Sequence, residues 1–180
     1  MSYYGGKELA AAFRTVRQNT IQVAEDIPES KYDFKPAPDA RNVAQTLVHI
    51  AVTTQIPLHI HGNRLDSLTK VNFPEIFQKI TAEEAKPRTK AEIIALLRSE
   101  GEKFASYLDG LNESFLAERV GMPPGAEPAS RTRFEMLLSA KEHEMHHRGQ
   151  LMTIERMLGV VPHLTRQRQE QMARAQSAQR

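Results

Sequence analysis

Residues 132–162 read TRFEMLLSAKEHEMHHRGQLMTIERMLGVVP, and the punctuation of this stretch marks one long helix. Thr132 with Glu135 three residues later forms a capping box at its start, and Gly159 followed by Pro162 marks its end. Between these signals Phe134, Leu137, Leu138, Leu151, Ile154 and Leu158 keep a helical period. One face, traced through Met136, Ala140, His143, His147, Leu151, Ile154 and Leu158, is expected to point into the fold. It carries two histidines four residues apart, whose side chains stand one above the other on the same side of the helix. Such a helix needs others to cover its apolar face, and the chain upstream supplies them.

Leu9, Phe13, Val16, Thr20, Val23 and Ile27 share one stripe, which predicts a helix over residues 6–27, closed by Pro28. Residues 29–41, with Pro36, Pro38 and Asp39, read as a loop that leads to Asn42 and Gln45, a second capping box. The helix that follows runs through Val43, Leu47, Val48, Ile50 and Ala51, apolar on most sides, and Pro57 is expected to kink or end it. Residues 66–88 read as a connection. Thr89 and Glu92 then open a third helix with the stripe Ile93, Leu97, Phe104, Tyr107 and Leu111 and a stop at Gly110. Residues 121–130 hold three prolines and two glycines and cannot be helical. Four long helices without an alternating strand pattern predict an all-α four-helix bundle over residues 1–162, with long connections between helices two, three and four. Residues 163–180, HLTRQRQEQMARAQSAQR, form a polar C-terminal extension, expected as a surface helix or a frayed end.

A chain of 180 residues fits one domain, and 24 Lys+Arg against 22 Asp+Glu give a net charge of +2, too little for a nucleic-acid partner. There is no cysteine, which removes disulfides, thiolate ligands and a cysteine nucleophile together. The N-terminal MSYYGGKEL lacks the features of a secretory signal, and no stretch approaches about 18 uninterrupted apolar residues, so a cytoplasmic protein without a membrane partner is expected.

The chemistry concentrates in KEHEMHHRGQL, residues 141–151, which holds three of the seven histidines. His143 and His147 are within reach of a single ion. Two separate inward imidazoles would need two sets of partners, whereas one metal satisfies both, and without cysteine that metal must be held by His, Asp or Glu. His146 projects about 100° from each neighbour and flanks the pair. The letters His143, Glu144 and His147 also spell HExxH, in which a glutamate acts as base beside zinc. The longer protease signature fails, because Gln150 and Thr153 stand where it requires Gly and His, Glu170 lies far along the tail, and an all-helical fold offers no edge strand for a peptide. A protease is therefore not expected. Glu144 and His146 remain candidates for outer hydrogen bonding or proton transfer, with a solvated Glu144 the simpler reading. For a third ligand the candidates are His49, His59, His61 and His163. The helical wheel groups His49 with Gln45, Thr46 and Thr53, away from the main stripe, and does not choose among them; His59 and His61, beyond Pro57, read as surface or rim residues.

LVHIA at 47–51, followed by HEMHHRGQL at 143–151 and the closing GVVP at 159–162, resembles the DinB superfamily of DinB/YfiT-like metalloenzymes over about residues 6–162. That resemblance implies a four-helix bundle, often a homodimer, with a divalent metal held by one histidine of the second helix and two of the fourth: His49, His143 and His147. The expected ion is Zn or Ni, although imidazole suits Zn, Ni, Cu and Fe alike and does not itself choose among them. Relatives of this kind include thiol-dependent transferases and isomerases in which the metal activates a low-molecular-weight thiol, so a small thiol and an electrophilic substrate are the expected partners. The alternative is a non-catalytic, stress-associated metal-binding bundle. No catalytic side chain is assigned by either reading.

Overall fold

A computed structural model describes residues 4–177. In chain order these form α1 (Gly6–Asp26), α2 (Val43–Val52), α3 (Gln55–Gly62), α4 (Phe73–Glu84), α5 (Lys90–Asp109), α6 (Glu113–Ala117), a short ribbon β1 (Arg119–Gly121) and β2 (Ser130–Thr132), α7 (Arg133–Met157) and α8 (His163–Ser177). The three capping boxes are formed. Asn42 Oδ1 accepts from Gln45 N at 2.7 Å while Gln45 Oε1 accepts from Asn42 N at 3.0 Å, and Thr89/Glu92 and Thr132/Glu135 open α5 and α7 in the same way.

α1, α2 with α3, α5 and α7 make the four-helix bundle. α1 packs along α5 and α7, and α2 packs along the same two helices, so α1 and α2 occupy opposite corners although they follow one another in the chain. Phe13 and Phe104 meet edge to face, 4.9 Å between centroids, in one half of the core; Leu47, Ile50, Leu97 and Leu151 fill the other. α1 begins hard against the end of α5: a Cβ at Gly6 would lie 2.5 Å from the carbonyl oxygens of Leu108 and Leu111, so only glycine fits.

Pro57 breaks the second helix and the polar extension forms a surface helix, both as expected, while the other connections differ from expectation. The second helix breaks at Thr53–Thr54, upstream of Pro57, which sits inside the first turn of α3. The reason is local: proline has no N–H for the Thr53 carbonyl and its ring crowds that carbonyl, so Ile56 N bonds it instead at 3.0 Å. Residues 66–88 are not a plain connection, since Asn72 caps a twelve-residue α4 by accepting from Glu75 N, with Pro74 in the first turn. The proline-rich segment closes a two-stranded antiparallel ribbon in which Val120 faces Arg131. The polar extension is helical over His163–Ser177 and its first turn is docked: His163 is buried against Asn19, and Arg166 pairs with Asp26 at 2.6 Å. Residues 178–180 lie outside the described residues.

The most buried line of α7 is also turned from the expected one. It runs through Arg133, Leu137, Glu144, Leu151 and Glu155, with Ile154 of the expected face buried beside it, while His143 and His147 are half-buried on the shoulder toward α2. The line is charged because partners meet it. Arg17 of α1 donates to Glu144 through Nε at 2.9 Å and Nη2 at 3.0 Å, to Leu97 O of α5 at 2.6 Å and to Ile50 O of α2 at 3.2 Å. One guanidinium thus ties all four long helices. Gly101 makes room for it: a Cβ there would stand 2.8 Å from Arg17 Cγ.

Glu155 has no such partner. It is fully buried, neither carboxylate oxygen meets a protein donor, and burial, with Asp26 close by, pushes its pKa up to about 7. The folded state therefore favours the neutral acid, so the stability this group contributes is complete below its ordinary value of 4.5 and is lost as pH rises through about 7. The stability contributed by this group is expected to decline between about pH 5 and pH 7.5, and the melting temperature with it, and Glu155→Gln to flatten that fall. Identical pH profiles for the two proteins would contradict the assignment.

Candidate metal centre

His49 stands in the last turn of α2, where its backbone carbonyl already accepts from Thr53 N, and His143 and His147 stand one turn apart in the middle of α7. The structure brings these three together. His143 Nε2 lies 3.2 Å from His49 Nε2 and 3.2 Å from His147 Nε2, and one ligand atom from each ring falls within 4.8 Å of the others. Ligand atoms held about 2.0–2.1 Å from a shared ion at angles of about 90–110° stand about 2.9–3.4 Å apart, and the two separations that involve His143 match that spacing.

The outer nitrogens fix the tautomers. His49 Nδ1 faces Glu84 Oε1 at 2.8 Å and His147 Nδ1 faces Gln150 Oε1 at 2.8 Å; both oxygens are acceptors, so both Nδ1 atoms carry the proton. The Nε2 atoms of His49 and His147 are then lone pairs. A proton on His143 Nε2 can serve only one of them, which leaves the other without a donor unless a cation sits among them. A carboxylate or amide behind a ligating imidazole is also the usual outer arrangement of a histidine metal site. Glu84 is in turn held by Arg41 at 2.7 Å.

Burial lowers the pKa of all three rings, with His143 brought to about 4 by burial and then by its two histidine neighbours; at His49 the bond to Glu84 opposes the shift. The imidazoles are therefore neutral at neutral pH, the form that ligates a metal. These residues could hold a divalent cation without rearrangement of the helices.

The other sequence candidates lie elsewhere. His146 is exposed, its ring 5.0 Å from that of His147, and His59 is exposed on α3. His163 is buried beside Asn19. His61, expected at the surface or rim, is instead buried, its Nδ1 accepting from Arg133 Nη1 at 3.2 Å. Glu144 is not solvated: Arg17 engages both its oxygens, which places it behind the triad as a structural ion pair and not as a base poised for hydrolysis. Glu84 was missed because α4 was missed; Asn72, Pro74 and Glu75 together were the available signal.

Two tests arise here. Glu84→Gln is expected to weaken zinc affinity about 10–100-fold, the range typical of outer partners, as read by competition with a chromogenic chelator; unchanged affinity would show that Glu84 does not support the site. His147→Ala is expected to lose bound metal where His146→Ala keeps it, both remaining folded by circular dichroism. Equal loss would place the ligand face wrongly.

The triad stands between two cavities. One, of about 340 Å³, is reached by His49 and His143 and is walled mainly by apolar side chains. The other, of about 710 Å³, has a mixed lining in which Arg41, Thr46, Glu84, His147, Gln150 and Thr153 stand beside Pro36, Ile154 and Met157.

The sequence model of the DinB superfamily matches residues 12–151. The chain belongs to the DinB superfamily. It is 26% identical over 152 residues to YjoA of Bacillus subtilis (strain 168), an uncharacterized protein, covering 84% of this chain and 90% of YjoA. The crystal structure of YjoA, a DinB-like protein, superposes with a TM-score of 0.62 at 22% identity, covering 84% of this chain and 92% of YjoA. YfiT from Bacillus subtilis, described as a probable metal-dependent hydrolase with an unusual four-helix bundle topology, gives 0.68 at 15% identity, covering 89% of this chain and 91% of YfiT. These superpositions show the shared fold.

Proposed function

We propose that this protein is a metal-dependent enzyme that activates a low-molecular-weight thiol for transfer to an electrophile, with His49, His143 and His147 as the ligands of a Zn or Ni ion. The observation that carries the metal reading is the convergence of imidazole lone pairs on one point, with outer partners already engaged. A divalent cation held there by three neutral imidazoles supplies Lewis acidity and lowers the pKa of a thiol or water placed beside it. The chain's own residues hold and orient. Glu84 and Gln150 keep the ring tautomers, and the Arg17–Glu144 pair sets the rotation of α7 that turns His143 and His147 toward α2. The transferase reading draws on the two cavities, one walled mainly by carbon and one of mixed lining, that the triad residues reach, since a group transfer between two molecules needs two sites. It also accords with a chain that has no cysteine to serve as nucleophile.

On this reading the protein works on small molecules in the cytoplasm, as a homodimer whose size analytical ultracentrifugation would report. Among the described residues no helix is long and apolar enough to cross a membrane. The test offers glutathione, bacillithiol and mycothiol in turn, with an aromatic chloride as electrophile, to metal-loaded untagged protein. Thiol consumption that disappears with chelator and in His143→Ala supports the proposal. A fully loaded protein inactive with all three thiols would leave the non-catalytic metal-binding bundle in its place.

A further inference from the structure

The cavity of about 340 Å³ beside His49 and His143 is walled by carbon, with Ile50, Ile56, Ile60, Phe73, Phe77 and Ile80 among its lining. Most of its polar groups are already engaged by the chain itself. Thr53 Oγ1 donates to His49 O at 2.8 Å, Thr54 Oγ1 to Ala51 O at 2.9 Å and Ser139 Oγ to Glu135 O at 3.2 Å, and Glu144 is occupied by Arg17. Two donors remain. Arg131 of β2 pairs directly with Val120, which is fully buried, so its side chain lies on the inward face of the ribbon. Its guanidinium forms no hydrogen bond or ion pair with any described residue, Glu135 acting on it only at longer range, and the residue lines the cavity.

The second donor is His61, 1% exposed and also in the lining. Arg133 Nη1 donates to its Nδ1 at 3.2 Å, and Arg133 Nε is itself held by Glu118 at 2.9 Å. An arginine cannot accept, so the His61 proton is on Nε2. That N–H has no partner among the described residues. Burial and the charge of Arg133 hold the ring neutral, its pKa brought down to about 4.

We propose that this cavity is the pocket of the electrophilic substrate and takes a small molecule with an apolar body and one carboxylate, the carboxylate received by Arg131 with the His61 Nε2–H as second donor. Two donors without partners, one of them cationic, in a lining whose one carboxylate, Glu144, is engaged by Arg17, select an acceptor-rich anion and reject a cation. The carbon walls select the body that carries it. The name of electrophile for the occupant rests on the thiol-transfer reading proposed above; the chemistry of the pocket stands without it.

The experiment is calorimetric titration of full-length, chelator-treated protein at pH 8, where the three triad imidazoles are uncharged. The probes are 4-phenylbutyrate and 4-phenylbutylamine, which share a body and differ in charge. Wild type is expected to bind the carboxylate at least tenfold tighter than the amine. Arg131→Gln is expected to weaken the carboxylate about tenfold or more and to leave the amine unchanged, the loss of one charge-assisted contact. Ala140→Leu, which fills the cavity from α7, is expected to weaken both probes in a protein that remains folded by circular dichroism. No measurable carboxylate binding to wild type, preference for the amine, or equal carboxylate affinity in wild type and Arg131→Gln would overturn the proposal. Zinc titration of the same samples separates the two readings: zinc bound without the carboxylate strikes the pocket alone, and the carboxylate bound without zinc strikes the metal centre alone.

Discussion

Arg17→Met is expected to destabilise the fold by about 3–5 kcal/mol, measured by urea denaturation with the slope unchanged. The reason lies in what the substitution leaves behind. Arg17 and Glu144 are 4% and 2% exposed, and removal of the guanidinium strands a carboxylate in the interior together with the Leu97 and Ile50 carbonyls it also engages. The double variant Arg17→Met, Glu144→Leu is expected to recover most of the loss, because replacing a whole buried pair by apolar groups is often close to neutral whereas breaking it is costly. Zinc affinity should fall in the single variant, since Glu144 adjoins His143 and fixes the rotation of α7. A single variant within about 1 kcal/mol of wild type would show that the pair does not hold the bundle as described.

His143→Ala is expected to lower zinc affinity by more than about a hundredfold, beyond the effect of losing an outer partner such as Glu84. Of the three rings it is His143 whose Nε2 touches both others, so its loss removes a ligand and separates the remaining two. The fold should survive, because the ring is half-buried on the shoulder of α7 and not part of the apolar clusters. Stoichiometric zinc binding at wild-type affinity in the folded variant would place the ion elsewhere.

The long helices were legible because their starts are written in short-range chemistry: Asn42–Gln45, Thr89–Glu92 and Thr132–Glu135 each satisfy backbone donors locally, whatever the tertiary context. The spacing of His143 and His147 was legible for the same reason, while His49 was selected by resemblance, its polar sector of α2 being ambiguous until α4 is seen to bring Glu84 against it. That helix escaped notice because it buries only Ile80 and leaves Phe77 exposed, so its apolar period is faint. Glu144 and His61 were misread because burial was judged from residue type. Each is buried only because an arginine distant in sequence meets it, Arg17 in one case and Arg133 in the other, and such pairings leave no periodic trace.

The most direct measurement of the metal centre is a crystal structure of untagged protein loaded with one equivalent of zinc, with anomalous diffraction recorded on both sides of the zinc absorption edge. The account predicts a single edge-dependent peak about 2.0–2.1 Å from the Nε2 atoms of His49, His143 and His147, with Glu84 and Gln150 still on the outer nitrogens. A fully loaded protein whose peak lies away from these three rings, or is shared by only two of them, would contradict it.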